Sequence, residues 1–238
     1  MRTLYTSILL TAILAVGSSA FADEASTVAT VEIQGARERL VPYKESYEMA
    51  KKVQMATEGR VALALRLIPS KPNVRIDDVQ LSLEGETESI PINVLAGGIF
   101  VVPVNDDIAK QNGSFSVNKK KGDLGARLVL VPSVARKDWT IGLMRQVVAG
   151  AQSAAIKITP WYERAFMTKI TSIAVCSSEA GAPLQVMNGN DVVAKFQMNE
   201  KATDDADRPV FCKHFNGDDK LDEHLTVAIP DGAQVVLL

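Results

Sequence analysis

From residue 60 onward, apolar side chains recur at every second position. Val61, Leu63, Leu65 and Leu67 alternate with Ala62, Ala64, Arg66 and Ile68, the period of a strand with one buried face. Val79, Leu81 and Leu83 continue the pattern, and shorter runs fall at 90–94, 99–103, 114–118 and 124–131. Turn residues separate the runs, at 69–73, Gly85, Gly97-Gly98 and 119–122. Two stretches instead carry the helical period. Behind Pro42, whose missing N–H has no helical partner to lose, Tyr43, Tyr47, Ala50 and Val53 share one stripe, and Gly59 ends a helix over 42–58. Leu143 or Met144, Val147, Ala151, Ala154 and Ile158 mark a second helix over 139–158, with Asp138 as its N-cap and Pro160 as its stop. Asn105 caps one or two further helical turns.

Beyond Lys169 the period returns to two. Strands are expected at 170–176, 184–187, 192–198, 209–214, 225–229 and 234–238, with turns at Gly181, Asn188-Gly189-Asn190 and Asp231-Gly232. Residues 199–208 read as a polar, acid-rich loop, and 23–40 as a weakly patterned lead with a short strand at 30–33. The fold class is therefore α+β, mainly antiparallel β, with two β-sandwich-like halves, an N-terminal helix and a connecting helix. The boundaries read as 1–22 signal peptide, 23–137 helix plus β-rich domain, 138–168 connecting helix and aromatic segment, and 169–238 β-rich C-terminal domain.

The N-terminus carries an address. Arg2 is the positive start, residues 8–16 form an apolar stretch too short to span a bilayer, and Ala20-Phe21-Ala22 supplies the small-x-small cleavage pattern. Cleavage after Ala22 would deliver the chain to the periplasm or outside the cell, with no transmembrane segment in the mature chain. That compartment changes how Cys176 and Cys212 read. They are the two cysteines of the chain, both in strand-like segments, and oxidising surroundings favour a disulfide between them. Two buried thiols are the alternative.

Composition narrows the chemistry. Among 238 residues, 26 Lys and Arg against 28 Asp and Glu give a formal charge of -2, which excludes a generally basic nucleic-acid binder. Aromatics at 5% argue against a groove rich in stacking side chains, and two His leave little material for His-dependent catalysis. His214, Asp218, Asp219 and His224 are the candidate metal ligands, weighed against a solvated turn. Cys212 and His214 are two apart, so one strand face would hold both, as a thiol–imidazole pair if the thiol were free. Lys119-Lys120-Lys121 reads as a charged hairpin tip. Trp161, Tyr162 and Phe166 form the one aromatic cluster, which either seals a core between the halves or makes a binding patch. Tyr43 and Tyr47 should face a sheet.

Val41-Pro42-Tyr43 with Tyr47, followed by alternating strands and Phe100-Val101-Val102-Pro103, resembles a family of exported proteobacterial proteins of unknown function. That resemblance implies export and a sheet-dominated α+β body, and no activity. The resulting expectation is an exported, non-enzymatic protein without a cofactor, binding a protein or envelope component in the periplasm. A periplasmic chaperone-like factor is one alternative, requiring an open strand edge. A metal-dependent hydrolase using His214 and His224 is the other, requiring a pocket where both converge with acids.

Overall fold

Each period in the sequence becomes an element of the matching type. In the computed structural model, which describes residues 38–204, 208–217 and 219–238, the first half contains β1 (Glu38–Pro42), α1 (Tyr43–Thr57), β2 (Val61–Pro69), β3 (Leu81–Glu84), β4 (Ser89–Ile92), β5 (Ile99–Val101), α2 (Asp106–Lys110), β6 (Ser114–Val117) and β7 (Leu124–Pro132). Then come α3 (Ile141–Ile158), β8 (Ser172–Ser177), β9 (Ala182–Asn188), β10 (Asp191–Met198), β11 (Glu200–Thr203), β12 (Pro209–Asn216), β13 (Thr226–Ala228) and β14 (Gln234–Leu237). The expected signal peptide at 1–22 and strand at 30–33 lie outside the described residues.

Each half holds two antiparallel sheets. Their strand orders are β1-β6-β3-β4 and β5-β2-β7 in the first half, and β10-β9-β13 and β11-β12-β8-β14 in the second. The fold is thus α+β and mainly antiparallel, with two β-sandwich-like halves. Buried residues from both halves, among them Leu63, Phe115, Leu184 and Val227, join α1 and α3 in one continuous apolar core. No break in that core marks the sequence boundaries at 137 and 168.

Aromatic rings link the layers of the first half. Tyr43 on α1 meets Phe115 on β6 edge to face at 5.5 Å, and Phe115 meets Phe100 on β5 at 5.3 Å. Tyr43 and Tyr47 face inward as expected. The Tyr43 hydroxyl donates to Pro103 O and accepts from Asn105 N–H, both at 2.8 Å. In the second half, Phe196 of β10 meets Phe215 of β12 across the two sheets at 6.1 Å.

Several expectations need correction. Helix α3 starts after Thr140, whose side chain accepts from Leu143 N–H, and Asp138 does not cap it. Residues Arg136–Asp138 form a tight 3-10 turn, and buried Trp139 with Thr140 then lies along β13, with Val227 N–H donating to Trp139 O. Gly142 allows this, because a Cβ there would come within 3.0 Å of Glu223 O. The basic triple is no hairpin tip: β6 pairs with β1 and β3, whereas β7 pairs with β2, so 118–123 carries the chain from one sheet to the other. The polar segment after 199 contains strand β11, paired with β12. It is exposed on both faces, so no apolar alternation marks it.

Cys176 and Cys212 form the expected disulfide. They are directly opposed on neighbouring strands β8 and β12, with Cα atoms 4.0 Å apart, shorter than the usual span of about 4.4–6.8 Å.

Two stability predictions follow from this packing. Tyr43→Phe keeps the ring and strands the Pro103 carbonyl and the Asn105 N–H, so urea unfolding should show a loss of about 1–3 kcal/mol with an unchanged m-value. Replacing both cysteines by Ala removes a cross-link with a sequence separation of 36 and should cost roughly 3–4 kcal/mol in the same assay.

Candidate functional site

The chemistry-bearing residues fall into separate groups. On the first half, Tyr47, Lys51 and Asp106 form a polar cluster where α1 meets α2. The Tyr47 hydroxyl donates to Asp106 Oδ1 at 2.5 Å, and Lys51 Nζ donates to the Tyr47 oxygen at 2.8 Å. Asn105 holds α2 in place, its side chain accepting from the N–H groups of Asp107 and Ile108. The Tyr47 hydroxyl, and then the charge of Lys51, hold the Asp106 carboxyl below the ordinary carboxylate range. The same Tyr47 contact holds Lys51 above its ordinary value. The cluster joins two helices through mutual hydrogen bonds among Tyr47, Lys51 and Asp106.

A groove of about 460 Å³ runs beside β4. Its lining is apolar at Ile76, Val79, Leu81, Ile92 and Val94 and polar at Gln80, Ser82, Ser89 and Asn93, with Asp77 its one ionisable side chain. Neither His lines it. β4 is an edge strand, but Pro91 removes one N–H from it, which blunts that edge for strand addition.

The candidate metal ligands do not form one site. His214 lies on β12, where its Nδ1 is 3.2 Å from Glu200 Oε2 of β11. Asp219 instead turns back on the chain, its Oδ2 accepting from Asn216 N–H at 2.9 Å. His224 is exposed in the loop before β13, and Asp218 lies outside the described residues. Among the described residues, no three His, Cys, Asp or Glu side chains are grouped to hold a metal ion. Glu200 was hidden from sequence reasoning because it sits in the segment read as a loop.

Trp161 and Tyr162 are displayed rather than buried. Trp161 is 80% exposed and Tyr162 59% exposed, with their rings edge to face at 5.9 Å. They do not seal a core between the halves; buried Trp139, at 2% exposure, is the tryptophan that does core duty. Pro160 ends the helical run and the next residues turn outward. Glu163 N–H returns to Pro160 O at 3.0 Å, and Arg164 Nε donates to Thr159 O at 3.1 Å. Phe166 closes the 3-10 turn Arg164–Phe166. Downstream, Ile170 N–H is held by Gln152 Oε1 of α3 at 2.7 Å. The turn carrying both rings is therefore held to the C-cap of α3 through Thr159, and the chain beyond it returns to α3 itself at Gln152.

The network around Asp106 makes a pH prediction. A carboxyl held below its unfolded value contributes stability above that value and loses it as pH falls through the folded one. Asp106→Asn should therefore be less stable than the natural chain at pH 7. The two unfolding curves should converge as the pH drops below about 4, measured by urea melts across the acid range.

Compared with protein-family models, with curated proteins and with solved structures, the chain finds no match in any of the three.

Proposed function

We propose that this chain is an exported, non-enzymatic binding protein that engages a protein or envelope component through the turn bearing Trp161 and Tyr162. The observation that carries this reading is the exposure of two large, adjacent aromatic side chains on a turn tied back to a helix. Exposing an indole to water forgoes the hydrophobic gain of burying it. Such rings supply large contact area with few rotatable bonds, which suits them to anchor an interface. The N-terminal charge, apolar stretch and Ala-x-Ala order support export, with cleavage after Ala22 into the periplasm or beyond. The Cys176–Cys212 disulfide agrees with an oxidising compartment. Among the described residues, no helix is long and apolar enough to cross a membrane.

The test uses Trp161→Ala with Tyr162→Ala. Because both side chains are exposed, stability should change by no more than about 0.5 kcal/mol. Cross-linking in cells followed by mass spectrometry should recover a partner with the natural chain and lose it with the double variant. In a Trp139→Phe background, emission from Trp161 should be open to acrylamide quenching and become protected when the partner is added. Equal recovery by both chains would overturn the reading.

A further inference from the structure

Exposed apolar side chains continue from the aromatic pair onto the helices behind it. Lys52, Met55 and Ala56 of α1 and Lys157 of α3 line a shallow hollow of about 370 Å³. Met55 is 70% exposed, and Ile156, beside Lys157 in the last turn of α3, is 39% exposed. Trp161 follows Lys157 by four residues, so their backbones lie at most about 14 Å apart. Met55, Ile156, Trp161 and Tyr162 thus gather exposed apolar surface at the C-terminal end of α3, on parts of the chain that the helix pair holds in place.

The charge at this end runs against that of the whole chain, which is formally -2. Lys52 and Lys157 are exposed, and among the described residues neither forms an ion pair. Lys51, by contrast, is committed to Tyr47 and Asp106. The acids nearest in sequence, Glu48 and Glu163, are outnumbered by Lys52, Lys157 and Arg164. Apolar and aromatic side chains with unpaired lysines beside them match the boundary of an anionic lipid layer. Indole and phenol rings rest at headgroup level, and a lysine lays its stem along apolar surface while its ammonium stays among the phosphates. A fluid lipid layer also closes around a protruding indole without a preformed pocket.

We propose that the partner at this surface is the headgroup layer of an anionic phospholipid membrane. Trp161, Tyr162, Met55 and Ile156 enter the interface, and Lys52 and Lys157 pair with headgroup phosphates. This rests on the reading of the Trp161 turn as the binding surface and names the class of its partner. The chain then lies on the membrane rather than in it. Each lysine strengthens binding to an anionic surface by about fivefold, an effect that salt screens. The buried rings supply the part of the affinity that salt does not touch.

The experiment mixes the mature chain, purified from cells that process it, with vesicles of phosphatidylcholine alone or with about one-third phosphatidylglycerol. Binding is read by co-sedimentation and by quenching of tryptophan emission with doxyl-labelled lipid. The anionic vesicles should bind about twentyfold more tightly, and the difference should shrink as salt rises. Doxyl lipid should quench Trp161, while Trp139, buried at 2% exposure, adds a constant background. Trp161→Ala with Tyr162→Ala should weaken binding to both vesicles by at least about tenfold. Lys52→Gln with Lys157→Gln should remove the preference for anionic lipid, and replacing Lys119, Lys120 and Lys121 by Gln should leave it intact. Thermal melts matching the natural chain show that each variant is folded. Failure of the natural chain to bind anionic vesicles, or emission untouched by doxyl lipid, overturns the lipid proposal. So does a preference that follows the lysines at 119–121 instead. If lipid binding fails while the Trp161 and Tyr162 variant still loses a cross-linked protein, the surface is a protein interface and the reading beneath stands. If neither lipid nor protein capture depends on the pair, both fall.

Discussion

The close packing of α1 on α3 is the constraint on which the two halves depend. Besides Tyr43 and Tyr47, α1 buries Ser46, Ala50, Val53 and Thr57, and beyond its first turn, which buries Ile141, Gly142 and Met144, α3 buries Val147, Ala151 and Ala154. These are small or β-branched side chains, which let two helix backbones approach. Gly150 reinforces the point, since a Cβ there would touch Thr57 Cγ2 at 3.4 Å. Thr57 is buried, and its hydroxyl donates to Val53 O at 2.8 Å, so its polarity is satisfied inside the helix. Because α1 also carries Tyr43 into the first half while α3 runs on into the second, one helix pair ties both sets of sheets into one core. A larger side chain at Ala50, Ala151 or Ala154 would have to separate the helices, and the apolar layers on either side would lose contact together.

That constraint also explains which features were legible in the sequence. A strand or helix with one dry face and one wet face writes its period into the chain. The stripes of α1 and α3 and the alternation Val61, Leu63, Leu65, Leu67 are such records, and all of these residues except Leu143 and Ile158 reach the buried class. An edge strand that is wet on both sides writes nothing. β11, with Glu200, Lys201 and Thr203, has the composition of a loop, and β1, with Glu38 and Arg39, that of a polar lead. Periodicity likewise reports that β6 and β7 are strands without reporting their partners, so the segment between them has the look of a hairpin turn although the strands belong to different sheets. The start of α3 failed for a related reason. Asp138 is a good capping residue by type, but the Trp139–Thr140 segment is drawn into pairing with Thr226, a long-range bond that no local rule anticipates.

The polar groups divide along the same line. The disulfide was legible, because two cysteines allow one pairing. The Cys212–His214 relation was legible too, because i and i+2 share a strand face. Glu200 was not, since its place opposite Cys212 exists only once β11 pairs with β12. Thus the carboxylate beside His214 Nδ1 lies in a segment with little sequence signal.

Trp161 and Trp139 show how far residue type alone falls short. One indole is nearly fully exposed and the other nearly fully buried, in segments that both flank α3. Trp139 precedes the helix where the chain pairs with β13 and is drawn into the core. Trp161 follows Pro160, where the chain has left the helix and turns back through Glu163 and Arg164 toward residues 159 and 160. The bonds that hold that turn are backbone and guanidinium contacts; none requires an aromatic ring at 161 or 162. The fold therefore supplies a reason for the turn and no reason for its two rings, and it is this surplus of apolar surface over structural need that makes them the surface to test for a partner.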